Sequence, residues 1–312
     1  MSEDSTTPQR VALTGASGFL GGALRASLTE AGHEVLTFVR GEPEGPDQRS
    51  WDPAQGELDP ADLEGVDVVV NLSGAGIADK RWSPQRKRLV LRSRVDSTTT
   101  IARVLAAGAG PTRLVSGSAI GYYGDRGDEL LTEESGVGDG FLSEVVRAWE
   151  EATRPAQEAG VSVAHVRTGV VLAPGGGAIA PMMLLGRLGL GGPLGGGLIG
   201  GGQQWMPWIT RPDWVSAVRL LVEQPEITGP VNVVGPEPAR QRDIAATIGR
   251  VLGRPAVLPA PTVAIRLALG EMADVILSSD RVLPQRLVEA GFTWEHDDLE
   301  DAIRWVVDSS DD

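Results

Sequence analysis

Short apolar runs alternate with longer amphipathic stretches along the first half of the chain. The runs are rich in Val, Leu and Ala, and they predict strands over residues 10–14, 34–39, 67–72, 113–118 and 161–171. The stretches between them repeat their apolar positions at helical spacing, which predicts helices over 22–31, 83–107 and 140–159. Strands that alternate with helices indicate an α/β fold of the Rossmann type, built on a doubly wound parallel sheet.

The pattern changes after residue 173. Glycine dominates 174–207, with triplets at 175–177, 195–197 and 200–202, so we expect a mobile flap here. Beyond it the sequence predicts helices over 213–223 and 242–252, a strand over 230–234 and a helical C-terminal part. We therefore predict a Rossmann domain over 9–172. The flap and a smaller C-terminal lobe, interleaved with the Rossmann sheet, are predicted over 173–312.

Charge and composition narrow the function further. The chain carries 42 acidic and 28 basic side chains, and this acidic surface disfavours nucleic acid as a partner. No apolar run approaches the roughly 20 residues of a membrane span, and residues 1–10 are polar, so we expect a cytoplasmic protein without a membrane partner. Cysteine is absent and His33, His165 and His296 lack ligand spacing, so no metal site is predicted.

A glycine turn follows the first predicted strand. Gly15, Gly18 and Gly21 are spaced as GxxGxxG and open the first predicted helix, which is the setting that this motif requires. In such a turn, glycine permits the tight bend, the close approach of a pyrophosphate and the packing of helix on strand. A dinucleotide is therefore expected here, and an ordinary strand–helix turn is the alternative. The turn also contains Ser17, Phe19 and Leu20.

The ends of the next two strands suggest which dinucleotide binds. Arg40 follows the second strand, where an acidic residue would accept a hydrogen bond from the ribose 2′-hydroxyl of NAD. A guanidinium pairs with a 2′-phosphate instead, so NADP(H) is preferred, although Arg40 could also be a solvated surface residue. The third strand ends at Asn71, Leu72, Ser73 and Gly74, whose small side chains would let a ring or ribose approach.

These motifs resemble the extended short-chain dehydrogenase/reductase superfamily. The resemblance is closer to one branch, an NADP-dependent sugar-epimerase-like family with a C-terminal extension, and it implies an NADP-binding domain over 9–172 and a substrate lobe over 173–312. Two features depart from the branch: the sequence Thr210-Arg211-Pro212-Asp213 and a longer glycine-rich flap. The motifs that carry the resemblance run along the whole chain: 14–21, Arg40, 51–53, 71–74, 87–88, 93–95, 118–127, Trp205, Trp208, 270–272, 281–284 and 290–292.

The superfamily's proton-transferring pair is missing. A Tyr-xxx-Lys motif is expected from the resemblance, but the only lysines, Lys80 and Lys87, precede both tyrosines. Phe141 and Val145 take the usual places of the Tyr and the Lys. Two hypotheses remain open: an oxidoreductase or epimerase that uses other groups on a small polar substrate, and a non-catalytic NADP(H)-binding regulatory or redox-sensing protein.

Candidate catalytic groups are few. Ser118 would hydrogen-bond a substrate carbonyl, and Tyr122 or Tyr123 would donate the proton, with Arg126 or Arg94 as electrostatic partner. Alternatively, Ser118 is an ordinary hydrogen-bonded hydroxyl at a strand end, and the two tyrosines only pack as aromatic side chains. The oligomeric state stays open.

Three further positions are candidates for ligand contacts. Arg94 belongs to a basic run that could reach a cofactor phosphate or line a solvated helix face, and Arg167 could bind cofactor or cap its strand. Trp205 and Trp208 flank the flap and could wall a pocket.

Overall fold

The structure is a computed structural model that describes residues 7–108, 110–177, 179–197 and 201–309. The described strands are β1 (Arg10–Thr14), β2 (Glu34–Val39), β3 (Gln48–Ser50), β4 (Val68–Asn71), β5 (Arg113–Ala119), β6 (Leu130–Leu131), β7 (Ser162–Thr168), β8 (Val170–Leu172), β9 (Trp205–Met206), β10 (Trp208–Thr210), β11 (Gly229–Val233), β12 (Ala239–Arg240) and β13 (Arg281–Val282). The described α-helices are α1 (Phe19–Glu30), α2 (Pro84–Ala106), α3 (Phe141–Glu151), α4 (Arg154–Glu158), α5 (Ala180–Arg187), α6 (Arg211–Glu223), α7 (Gln241–Val251), α8 (Thr262–Leu269), α9 (Ala273–Leu277), α10 (Gln285–Glu289) and α11 (Leu299–Asp308).

Seven of the strands form one parallel sheet in the order β11-β7-β5-β4-β1-β2-β3. The chain therefore leaves β1 in one direction to build β2 and β3, and in the other to build β4, β5, β7 and β11. The predicted α/β Rossmann fold with its doubly wound sheet is confirmed. In such sheets the ligand site lies at the carboxyl ends of the strands, where the order reverses, which here is between β1 and β4.

Alternate residues of the strands bury their side chains on opposite faces of the sheet. Val11 and Leu13 of β1 pack with Leu24 and Leu28 of α1 in one apolar cluster, while Ala12 belongs to a second cluster on the other face. Helices α1 and α6 cover the first face, and α2 supplies apolar side chains to the second. This two-sided burial explains why the strands read as near-continuous apolar runs.

Two predicted elements are each divided in the structure. The strand predicted over 161–171 ends at Thr168, and β8 resumes at Val170 to pair with β10 instead of the main sheet. Gly169 lies at the break, where a β-carbon would come within 2.8 Å of the Pro207 carbonyl oxygen. The helix predicted over 140–159 divides into α3 and α4, and Pro155, which has no backbone N–H to donate, lies in the first turn of α4.

The glycine-rich segment contains a short helix that the sequence analysis did not predict. Within it, α5 packs on α7, and Met183 and Ile248 belong to one apolar core cluster. The prediction that Trp208 walls a pocket is wrong, because its side chain is fully buried in that same core. The predicted flap includes Ala178 and 198–200, and the polar N-terminus includes residues 1–6. These positions lie outside the described residues.

Candidate functional site

The turn between β1 and α1 brings three backbone segments into close contact. Gly15 has φ +72°, and a β-carbon there would come within 2.8 Å of the Leu72 carbonyl group at the end of β4. A β-carbon on Gly21 would collide with the Gly15 carbonyl oxygen, so α1 can pack on the turn only with glycine at this position. The two glycines therefore fix the spacing between the ends of β1 and β4.

The N-terminus of α1 is open at this turn. Gly18 is its N-cap, and no side chain caps the helix there. Ser17, Gly18 and Phe19 are exposed, while Leu20 is half-buried against the core. A helix N-terminus presents free N–H groups and the positive end of the helix dipole, which together attract an anion.

Arg40 lies just after β2, the neighbour of β1. Its side chain is exposed, and within the described part of the chain it forms no hydrogen bond or ion pair. The next strand end, at β4, is fixed by Asn71, whose fully buried amide accepts from the Thr14 hydroxyl (2.7 Å) and donates to the Thr98 hydroxyl (2.9 Å). The same Asn71 oxygen accepts from the Ser73 backbone N–H at 3.2 Å, so the chain at 72–74 is held in place.

Arg94 lies beneath this segment. Its guanidinium donates to the Ala75 carbonyl (2.9 Å), packs over the Trp149 ring and would contact a β-carbon on Gly74. Burial, with the charge of Arg86 adding to it, lowers the pKa of Arg94 to about 10. Arg94 thus supports the backbone at the end of β4.

A second polar group occupies the carboxyl ends of β5, β7 and β11. Strand register places Ser118, Arg167 and Asn232 side by side in one row on these three neighbouring strands. Glu150 reaches this row from α3 and Tyr123 from the loop after β5. We call these five residues the polar row.

Hydrogen bonds join the whole polar row. Ser118 Oγ donates to Glu150 Oε1 at 2.6 Å, and Arg167 pairs with both Glu150 oxygens at 2.8 Å. Arg167 Nη1 also donates to the Tyr123 hydroxyl (2.9 Å), which donates to Asn232 Oδ1 (2.7 Å). The predicted candidates Ser118, Tyr123 and Arg167 therefore lie together, but their polar atoms bind one another.

Pairing between Glu150 and Arg167 offsets the cost of burying their charges. Burial alone would raise the pKa of Glu150, but the hydrogen bonds and charge of Arg167 outweigh it, and the pKa lies below its ordinary value. Burial would lower the pKa of Arg167, yet its contacts with Glu150 raise it overall. Burial raises the pKa of the Tyr123 phenol to about 12. At neutral pH the row holds one ion pair and a neutral phenol.

Tyr122 is the more accessible of the two tyrosines. Its half-buried ring packs edge to face on Tyr123, and the Arg167 guanidinium lies 3.6 Å from its ring centre. Arg167, rather than Arg126 or Arg94, is thus the arginine beside the tyrosine pair. Arg126 is paired with Glu129 instead.

Sequence reasoning missed Glu150 and Asn232. Neither belongs to a short motif, and both are common residue types. Strand register places Asn232 beside Arg167, and hydrogen bonds join Glu150 to Ser118 and Arg167. The one signal available in the sequence was that a buried arginine needs a carboxylate partner.

The described residues contain no cluster of His, Asp or Glu positioned to hold a metal ion. None of the described helices is both long and apolar enough to span a membrane.

Two family models match the chain. The model described as NAD dependent epimerase/dehydratase family covers residues 11–235, and one described as Domain of unknown function (DUF1731) covers 260–306. The chain belongs to the NAD-dependent epimerase/dehydratase family. The resemblance drawn from the sequence motifs is therefore confirmed, and the second model corresponds to the expected C-terminal extension.

Similar proteins extend over the same length. The epimerase family protein Mb2239 of Mycobacterium bovis is 42% identical over 297 residues, which cover 95% of this chain and 97% of that protein. The crystal structure of human epimerase family protein SDR39U1 (isoform 2) with NADPH matches with a TM-score of 0.85 and 32% identity, covering 96% of this chain and 99% of that one. The nucleoside-diphosphate sugar epimerase of Corynebacterium glutamicum matches at TM-score 0.78 and 36% identity, over 96% of this chain and 59% of its own.

Proposed function

We propose that the protein is an NADP(H)-dependent oxidoreductase or epimerase that acts on a small polar substrate at the carboxyl edge of the sheet. The observation that carries this proposal is an open anion site beside an arginine that has no partner among the described residues. The uncapped N-terminus of α1 follows a turn that only glycine can form, and Arg40 is exposed at the neighbouring strand end. The human relative whose structure contains NADPH supports the same choice of nucleotide.

The residues present fit a dinucleotide along this edge. The backbone of the turn would hold the pyrophosphate, and Arg40 would pair with the 2′-phosphate. The segment 71–74 would lie along the ribose and ring, with Arg94 supporting it from below. The turn residues assigned to the cofactor are Gly15, Ser17, Gly18, Phe19, Leu20 and Gly21. The assignment of Arg167 to the cofactor stays a prediction, and the partners of its guanidinium are Glu150 and Tyr123.

The bound cofactor would supply or accept a hydride. Ser118 keeps its hydroxyl proton directed at Glu150, so its oxygen lone pairs face any other ligand as acceptors. A substrate hydroxyl could donate to Ser118, with Tyr122 lining the same place. Glu150, held as a carboxylate by Arg167, orients Ser118 and is a positioning residue in this scheme.

A titration with NADPH and NADH tests the cofactor. Nicotinamide fluorescence is followed on wild type, on Arg40→Ala and on Arg254→Ala, an exposed arginine of the C-terminal lobe. Loss of a charge-assisted pair costs about 1.5–3 kcal/mol, so we expect NADPH affinity to fall roughly 10- to 100-fold in Arg40→Ala alone. NADH affinity should change little in either variant. Equal binding of both nucleotides by wild type would refute the preference for NADP(H).

The second hypothesis is a non-catalytic NADP(H)-binding regulatory or redox-sensing protein. One observation favours it: the hydroxyls of Ser118 and Tyr123 are bound within the polar row, and Tyr123 is fully buried. NADPH oxidation measured with a panel of aldehydes and ketones separates the two hypotheses. Turnover that Ser118→Ala abolishes, with NADPH binding retained, would rule out the non-catalytic role.

A further inference from the structure

The first turns of α2 and α3 meet beside the proposed cofactor edge. Helix α2 follows β4, and α3 packs against the turn at 120–122 that directly follows β5, so both helices lie beside the carboxyl ends of these strands. Trp82, just before α2, packs edge to face on Phe141, the first residue of α3, with ring centres 4.9 Å apart. Phe141 stands where the superfamily resemblance places the proton-donating tyrosine.

A lysine ammonium lies against these two rings. Lys87 Nζ is 5.0 Å from the centre of the Phe141 ring and 5.9 Å from the Trp82 ring. The same nitrogen forms an ion pair with Glu271 of the C-terminal lobe, while the Lys87 side chain remains 30% exposed. A second contact to the lobe, from Arg81 Nη2 to the Leu267 carbonyl (3.1 Å), lies beside it. Lys87 is thus a partly exposed donor beside two aromatic rings, where the start of α2 meets residues 267–271.

Two of the alternative proton donors are already engaged. Ser118 donates to Glu150, and Tyr123 is buried with a hydroxyl that already serves Arg167 and Asn232. Tyr122 is half-buried with the Arg167 guanidinium 3.6 Å from its ring centre, and it is the other candidate donor. Lys87 has three N–H donors and binds one carboxylate among the described residues.

We propose that Lys87 is the catalytic proton donor that replaces the missing tyrosine. The proposal rests on the proposed function, in which NADPH is the reductant. The substrate carbonyl carbon gains the hydride from the nicotinamide C–H bond that breaks as NADPH is oxidised to NADP⁺, the C=O π bond breaks, and the oxygen takes a proton from Lys87. The Lys87 N–H bond breaks to leave a neutral amine, which water reprotonates, and the oxidation direction reverses each step.

Kinetics form the first arm of the test. NADPH oxidation is measured with glyceraldehyde, benzaldehyde and phenanthrenequinone, on wild type, Lys87→Gln, Lys87→Arg and the matched control Lys80→Gln. A general acid contributes about 10²- to 10⁴-fold, so we expect kcat to fall at least 100-fold in Lys87→Gln, with NADPH affinity within about twofold. Lys80→Gln should keep wild-type kcat. The pH dependence of kcat should change in Lys87→Arg, because a guanidinium releases its proton far less readily.

Lysine NMR forms the second arm and needs no substrate. Because the chain has only two lysines, the full-length protein labelled with [ε-¹³C]lysine gives two side-chain signals, which Lys80→Arg assigns. Saturating NADPH should shift the Lys87 signal and leave the Lys80 signal in place. A Lys87 signal that NADPH does not move would overturn the inference.

The outcomes separate this inference from the proposed function. A wild type that binds NADPH and reduces a probe, with Lys87→Gln equally active within threefold, overturns the inference alone. A wild type that binds NADPH and reduces none of the probes overturns the proposed oxidoreductase together with the role of Lys87. A wild type that binds no NADPH overturns the cofactor assignment itself.

Discussion

Two groups of polar atoms lie at the carboxyl edge of one sheet, and they differ in whether their hydrogen bonds are complete. At the start of α1 the helix N-terminus has no side-chain cap, and Arg40 has no partner among the described residues. In the polar row, Ser118, Glu150 and Arg167 satisfy one another. A group with unsatisfied hydrogen-bond donors can lower its free energy by binding an anion. In a group whose hydrogen bonds are all formed, those bonds mainly hold the side chains rigid. The first group therefore matches the proposed anion site, and the second is a rigid network in which Ser118 would accept from the proposed substrate.

Gly21→Ala tests the incomplete group and has the largest expected effect. The new β-carbon would collide with the Gly15 carbonyl oxygen, so the turn must move away from α1. We expect NADPH affinity to fall at least roughly 100-fold, since each hydrogen bond from the displaced turn to the charged pyrophosphate costs about 1.5–3 kcal/mol when it is lost. Thermal unfolding should also occur at a lower temperature. Fluorescence titration and a thermal melt measure the two effects.

Gly22→Ala is the matched control for Gly21→Ala. It lies in the same helix turn, and its β-carbon would meet the Ala16 carbonyl oxygen at an ordinary 3.5 Å. Alanine favours the helix by about 0.5–1 kcal/mol over glycine, so this variant should bind NADPH as wild type does and melt slightly higher. Equal losses of affinity in both variants would mean that close packing of this turn does not position the cofactor.

Glu150→Gln tests the complete group. Arg167 is 3% exposed, and removing its carboxylate partner leaves a buried charge unpaired. Breaking such a pair costs about 3–5 kcal/mol, so we expect a large drop in melting temperature. The loss should shrink in Glu150→Gln/Arg167→Gln, because the unpaired charge is then gone.

Glu158→Gln provides the exposed comparison. Glu158 forms an ion pair with Arg154 at 3.6 Å, and its side chain is 71% exposed. Exposed pairs contribute at most about 1 kcal/mol, so the melting temperature should hardly change. A Glu150→Gln variant that melts like Glu158→Gln would show that the polar row contributes little to stability.

The sequence predicted the incomplete group far better than the complete one. Gly15, Gly18, Gly21 and Arg40 lie within one β–α–β unit, so short-range spacing and strand order determine their arrangement. The polar row depends on the register of β5, β7 and β11 and on a residue in α3, which are separated by many positions in the chain. Ser118 and the tyrosines were found by motif, but their partner Glu150 was not.

Two misjudged boundaries have different physical causes. Gly169 divides a predicted strand at a close contact that only the folded chain reveals. Pro155 lies at the division of a predicted helix, and its missing backbone N–H is visible in the sequence itself. Trp208 is buried because α5, α7 and α11 form a core around it, although a glycine-rich sequence gave no sign of that packing. Local patterns predict elements well, while tertiary contacts decide where the elements end.

Asp280 extends the comparison to a group that is both buried and incomplete, and its expected effect is smaller than that of Gly21→Ala or Glu150→Gln. Its Oδ1 has no hydrogen-bond partner among the described residues, and burial, with Asp125 nearby, raises the pKa of Asp280 to about 7. In the unfolded chain the group ionises near its ordinary pKa of about 4. Between pH 4 and 7 the unfolded state therefore loses a proton that the folded state keeps, and stability falls as the pH rises through this window.

Asp280→Asn removes that cost, so it should stabilise the protein at pH 8 and have little effect at pH 4. One pKa unit corresponds to about 1.4 kcal/mol, so a gain of at least about 1 kcal/mol at pH 8 is expected, or roughly 2 °C in melting temperature. Asp297→Asn, which removes the same charge at an exposed position, should show no such pH dependence. If Asp280→Asn is neutral at both pH values, water or a local rearrangement must satisfy Asp280 in the folded protein. Asp280 would then complete its hydrogen bonds without a ligand.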